Sequence, residues 1–133
     1  MAISFIAASS MVSGSGGNAN RPAGQQENDV IVAAVAIDGN EGDITPPEGW
    51  TLIEILPGNL FTAEFGFYYT VVGASPPSSD SWPGIFAAVS VCEALFRGVD
   101  TSDPIAGSAG ASGTVIPSVT STTNDGMLVG GVQ

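Results

Sequence analysis

Glu54, Glu64 and Glu93 are the side chains in this sequence that could act as a pair of acids. Glycoside hydrolysis needs two such carboxyl groups flanking one bond, one protonated and one ionised. All three glutamates fall on predicted strands, where a carboxylate ordinarily faces water. They read as outward-facing residues rather than a catalytic pair. The chain has no histidine and one cysteine, Cys92. That composition excludes the usual Cys/His zinc sites, the Ser-His-Asp triad and the Cys-His pair. Cys92 sits in the apolar run 86–96 and reads as a small buried hydrophobe. Gly14-Ser15-Gly16-Gly17 lacks the lysine and the strand–loop–helix setting of a phosphate loop. Asp38, Asn40 and Asp43 are oxygen donors in one short turn, but without the ligand order or distal glutamate of an EF-hand. They read as a solvated turn. No catalytic residue, no cofactor and no metal is expected, and the chain does not read as an enzyme.

The charge balance narrows the partners. Thirteen acidic residues face only Arg21 and Arg97, with no lysine, for a formal net charge of -11. Nucleic acid and anionic membrane surfaces both attract cationic side chains, so neither is an expected partner. Arg97 is expected to pair with Glu93 or Asp100. Arg21 lies in a Gly/Ser/Asn-rich stretch and is expected to be available to a partner. A lone cysteine rules out an internal disulfide. No apolar run approaches the ~20 residues of a spanning helix. Residues 1–8 lack a basic n-region and read as a first strand.

Strands must carry these side chains. Residues 2–9 form the first, and 10–28 read as a flexible loop or arm. Residues 30–37 are apolar throughout and mostly β-branched, the signature of a strand buried on both faces. Pro46-Pro47 cannot donate ladder bonds and precede Trp50, a large apolar anchor for the strand at 51–56. Residues 60–72 alternate. Phe65, Phe67, Tyr69 and Val71 are expected to face the core, and Glu64, Gly66, Tyr68 and Thr70 the polar side. Residues 73–80 read as a loop, 85–97 as a strand, and 115–121 and 127–132 as the last two. Asn124-Asp125-Gly126 would join those two as a hairpin. Trp50, Phe67 and Val35 are the predicted core. Roughly seven short strands and no helical period predict one all-β domain over residues 1–133. The expected fold is an antiparallel β-sandwich of jelly-roll type, with an immunoglobulin-like sandwich as the alternative.

Four segments then carry a resemblance. They are Asp29-Val30-Ile31-Val32-Ala33-Ala34-Val35, Ile44-Thr45-Pro46-Pro47-Glu48-Gly49-Trp50-Thr51-Leu52-Ile53, the run 67–79 from Phe67-Tyr68-Tyr69 to Pro76-Pro77-Ser78-Ser79, and Phe96-Arg97-Gly98-Val99-Asp100-Thr101-Ser102-Asp103-Pro104-Ile105. In order and spacing, from residue 29 to 132, the chain resembles a family of β-sandwich domains of tailed-phage structural proteins and bacterial surface or prophage proteins. The resemblance implies a structural or binding role and brings no catalytic residues. It leads to the expectation of a phage virion protein, of capsid decoration, cement or head-fibre type. Its partner would be the major capsid protein or another virion protein at the virion surface, with a homo-oligomer as a further option. Arg21 would be a pairing residue in the arm. The alternative is a carbohydrate- or host-surface-binding module of a tail fibre or bacterial cell surface, with Tyr68 or Trp82 stacked on sugar rings. Calcium is expected to leave the melting temperature unchanged. A calcium-dependent rise, abolished by Asp38→Asn with Asp43→Asn, would establish a metal site in that turn.

Overall fold

The computed structural model describes residues 2–14, 17–37, 44–56, 63–82, 89–111, 117–120 and 126–130. These residues form eight strands: β1 (Ser4–Ala8), β2 (Val12–Gly14), β3 (Gly17–Asn20), β4 (Val30–Ile37), β5 (Thr51–Leu56), β6 (Glu64–Val71), β7 (Ser79–Trp82) and β8 (Val89–Arg97). No helix occurs among them, and every ladder is antiparallel. The all-β expectation holds.

Six strands make the main sheet, in the order β1-β8-β4-β6-β5, with β2 also on β8. β1 pairs with the C-terminal half of β8 and β2 with its N-terminal half, so the two form one interrupted edge strand. At the interruption, Ser9 N–H donates to the Glu93 carbonyl (2.8 Å) and Glu93 N–H donates to Ser9 Oγ (2.9 Å). A side chain thus replaces a ladder partner and keeps the backbone of Glu93 satisfied. β3 and β7 form a separate two-stranded ribbon. Packed on one face of the main sheet, it gives a sandwich-like arrangement of two layers.

The larger core lies between these layers. It contains Ile31, Ala33, Val35 and Ile37 of β4, Val89, Val91 and Leu95 of β8, Tyr68, Trp50, and Ala19 and Trp82 from the ribbon. A smaller cluster on the opposite face joins Val30, Val32 and Phe96 to half-buried Ile53, Phe67, Tyr69 and Ala94. β4 is therefore buried more completely on its odd-numbered face, with Ala34 and Ala36 only half-buried on the other.

Several expectations fail here. The described residues of the run 10–28 do not form a strandless loop or arm: they supply β2 and β3, and Ala19 and Pro22 are buried. Gly17 and Ala19 are small because they face the neighbouring layer, Gly17 having Val89 about 3.4 Å from where a Cβ would sit, whereas Asn18 and Asn20 face outward. β6 presents the opposite face to the main core. Glu64, Gly66, Tyr68 and Thr70 are buried, while Phe65, Phe67 and Tyr69 are half-buried and Val71 exposed. The large residue facing the core from this strand, Tyr68, folds back over Gly66, where a Cβ would meet its ring at 2.7 Å. Residues 79–82, placed in or after a loop by the sequence, are strand β7. Residues 117–120 and 126–130 are exposed or half-buried and carry no strand. Pro117 removes a ladder donor there. The remaining parts of those two predicted strands, the Asp38–Asp43 turn and Asn124-Asp125 lie outside the described residues.

Trp50 and Val35 are buried, as expected, while Phe67 is only half-buried. Trp50 is aimed inward by the turn before it. Its N–H donates to the Pro47 carbonyl (3.2 Å), and Gly49 adopts φ +84°, the pattern of a type II turn. The Gly49 carbonyl accepts from Thr70 Oγ1 (2.8 Å), tying the turn to β6. Trp50→Ala should cost on the order of 3–5 kcal/mol. Chemical denaturation measures this, and an unchanged midpoint would remove Trp50 from the core.

Candidate functional site

Alternation along β7 points Asp80 and Trp82 inward and Ser79 and Ser81 outward. Asp80 meets Arg21, the residue directly after β3. The Arg21 Nε donates to Oδ2 and its Nη2 to Oδ1 (2.9 Å), a two-pronged pairing. Both side chains are nearly sealed from water, at 6% and 4% exposure. Trp50 Nε1 adds a third donor to Asp80 Oδ1 at 3.1 Å. The Arg21 guanidinium also lies 5.8 Å from the Trp50 ring centroid, within cation–π range.

Trp82 continues the cluster. Its ring packs edge-on against Trp50 (centroids 5.0 Å) and Tyr68 (5.3 Å). In the main sheet, Tyr68, Ala33 and Glu93 lie in one row across β6, β4 and β8. Ala33 is the small residue between two large ones, and it leaves room for the indole to reach across. Trp82 Nε1 donates to Glu93 Oε1 at 3.3 Å. Glu93 is fully buried, and its Oε2 has no hydrogen-bond partner among the described residues. Burial, and then the nearby Asp80 charge, push the Glu93 carboxyl up to about 7. Glu64 is also fully buried and accepts from the Ile44 N–H at 3.2 Å. Burial, with the Glu64 charge second, raises the Tyr68 phenol above its ordinary value.

A second ion pair closes the edge of the domain. Arg97 donates to Asp29 through Nε and Nη2, both at 2.8 Å, and Nη2 also reaches the Gly24 carbonyl at 3.0 Å. Asp29 Oδ2 accepts from the Gln26 N–H at 2.8 Å. The Arg97 bond holds the Asp29 carboxyl below the usual range, against the opposing effect of burial. A depressed carboxyl adds stability above its unfolded value, and that part is lost as the pH falls through the folded one. An open depression of about 290 Å³ lined by Gln26, Asp29, Arg97 and Val99 adjoins this pair.

The sequence-predicted site residues therefore stand differently from their expected roles. Tyr68 and Trp82 are 3% and 1% exposed, so neither presents a ring face to solvent. The ribbon covers the sheet face that carries Tyr68, and Trp82 points from the ribbon into the same interface. Arg21 is held by Asp80 inside the domain, not free in an arm. Arg97 pairs with Asp29 rather than Glu93 or Asp100; Asp100 instead accepts from the Ser102 N–H at 2.9 Å. Glu64 and Glu93 face inward and Glu54 is half-buried, with Ser108 Oγ 2.9 Å from its Oε2. Cys92 is half-buried, its thiol 3.6 Å from the Ser9 carbonyl. The structure does bring Arg21, Tyr68 and Trp82 into one cluster, with Asp80, Trp50 and Glu93. Asp80 was missed because Pro76-Pro77 marked its surroundings as loop. The signal that finds it is the period of two in Ser79-Asp80-Ser81-Trp82, which places an acid and an indole on one face.

Chemically, the cluster is a sealed electrostatic clamp. One cation and two indoles direct four N–H donors at two carboxyl groups where water is excluded. Among the described residues, no three histidine, cysteine or acidic side chains converge to hold a metal ion. No family model matches the chain, and no curated protein or solved structure matches it. Asp80→Ala leaves the Arg21 guanidinium buried and unpaired, and should cost on the order of 3–5 kcal/mol. Equilibrium denaturation is the measurement, and a loss below about 1 kcal/mol, as for a surface pair, would contradict the sealed arrangement.

Proposed function

We propose that this domain is a structural protein of a phage virion, of capsid decoration, cement or head-fibre type. It docks on the major capsid protein or another virion protein at the particle surface and carries out no chemical reaction. One observation supports this most: Arg21, Glu64, Asp80 and Glu93 are turned inward, whereas several large apolar side chains are left outside. Phe5 is 56% exposed and Leu128 84% exposed, and Met11, Leu52 and Val71 are exposed with them. Such residues on an acidic domain suit docking rather than catalysis. Repetition over a lattice multiplies weak contacts of this kind. The four phage-like segments and their order support the same reading. The jelly-roll topology, with the immunoglobulin-like sandwich as alternative, belongs to the proposal. Its support is the wholly antiparallel pairing and the non-sequential neighbours β8-β4-β6.

The carbohydrate-binding alternative drew on Tyr68 and Trp82 as stacking rings, and their burial removes that support. Docking through the N-terminal stretch also takes a different form. Residues 17–22 bring Ala19 and Arg21 into the core, so removing them would unfold the ribbon. The contact instead falls on exposed apolar side chains. The test is saturable binding to purified capsids and other virion parts, read by co-sedimentation. The intact protein is expected to bind, and Phe5→Asp with Leu128→Asp to weaken binding about tenfold or more while leaving the fold intact. If the intact protein binds no virion component, the host-surface module becomes the leading reading.

A further inference from the structure

We propose that the β3–β7 ribbon is a proton-dependent cover: it closes on the main sheet while Glu93 is neutral and loosens when Glu93 ionises. The proposal concerns the ribbon–sheet interface and is independent of what the domain docks on.

The geometry of that interface carries it. Two side-chain hydrogen bonds from the tryptophans link the ribbon to the rest of the domain. Trp50 donates to Asp80 from outside the ribbon, and Trp82 donates to Glu93 from within it. Asp80 has three donors to compensate its charge. Glu93 has one, and its second oxygen is buried without a partner among the described residues. A neutral carboxyl tolerates that position far better than an ionised one, because an uncompensated buried charge loses its hydration.

The groups around Glu93 reinforce the asymmetry. The ribbon contributes Asp80 and Arg21, and Arg21 is already committed to Asp80 through two bonds. β6 contributes Glu64 and Tyr68 on the same sheet face. β4 contributes Ile31, Ala33, Val35 and Ile37, none of them titratable. β1 and β2 contain no ionisable side chain either. A second negative charge would therefore appear beside Asp80 with one arginine between the two acids. Burial first, and the Asp80 charge second, hold the carboxyl at about 7 instead of its ordinary 4.5.

The direction of the effect follows. Between those two values the folded protein binds a proton that the unfolded chain has lost. The stabilising effect is complete below the unfolded value. It declines as the pH rises through the folded one and stays lost above it. With no histidine in the chain, no imidazole can account for a transition near neutrality.

Both tryptophans lie at this interface, so acrylamide quenching of their fluorescence reads its opening. From about pH 5.5 to about pH 8.5, quenching is expected to rise about threefold with a midpoint near the Glu93 value, and Glu93→Gln to abolish the rise. A flat wild-type profile, or the same rise in a folded Glu93→Gln variant, would overturn the proposal. Should that variant fail to fold, carboxyl carbon NMR on the wild-type protein decides. A shared midpoint for Glu93 titration and quenching supports the cover, and separate midpoints refute it.

Discussion

Burying a guanidinium is the constraint on which the rest of this domain turns. Arg21 leaves water almost completely, and only a carboxylate in bidentate contact can make that tolerable. Asp80 supplies it, and the pairing fixes the register of β3 against β7. The Arg21 N–H donation to the Ser78 carbonyl at 2.9 Å extends the same ladder. Trp50 then satisfies a remaining lone pair of Asp80 and lays its ring beside the guanidinium. Trp82, two residues on from Asp80, has one direction left to face. It crosses Ala33 and ends at Glu93. A short ribbon with little apolar surface of its own is thus held by directional bonds that few other residues could replace.

The same constraint shapes the exterior. Both arginines are consumed by internal ion pairs, Arg21 with Asp80 and Arg97 with Asp29. Glu27, Glu48, Asp100 and Asp103 remain exposed, so the described surface is anionic and has no cation to spare. Two copies of the chain meeting through such surfaces would bring like charges together. A neutral or basic surface with apolar side chains is the better complement, and that is the kind of partner the docking proposal requires. The Arg21 charge is paired with Asp80 inside the domain.

The two faces of the main sheet differ for a related reason. On the ribbon side, two indoles and a phenol fill the interlayer space, so the sheet must offer small partners there. Ala33 and Gly66 do so. The phenylalanines of β6 are too bulky to share that space and take the opposite face, where they stay half-buried. Glu64 and Glu93 are tolerated on the inner face because each has a donor: the Ile44 amide for one and the Trp82 indole for the other.

Much was legible from residue order alone. The apolar run at 30–37, the Pro-Pro-Glu-Gly-Trp turn and the alternation at 64–71 each report local physics: ladder donors, φ preference and a period of two. They define an antiparallel all-β chain and mark Trp50 and Val35 as core. Composition alone also removed histidine chemistry and disulfides from consideration. Which face of β6 is inside, which acid each arginine meets and where Tyr68 and Trp82 point were decided only by tertiary structure. Alternation says that two faces differ, but not which one a second layer will cover. A count of two arginines and thirteen acids says that pairs will form, but not across which distance. The partners are 59 residues apart in one ion pair and 68 in the other. Contacts at that separation exist only once the ribbon has folded over the sheet. Desolvation of Arg21, Asp80 and Glu93 is a property of that closed interface, not of any segment within it.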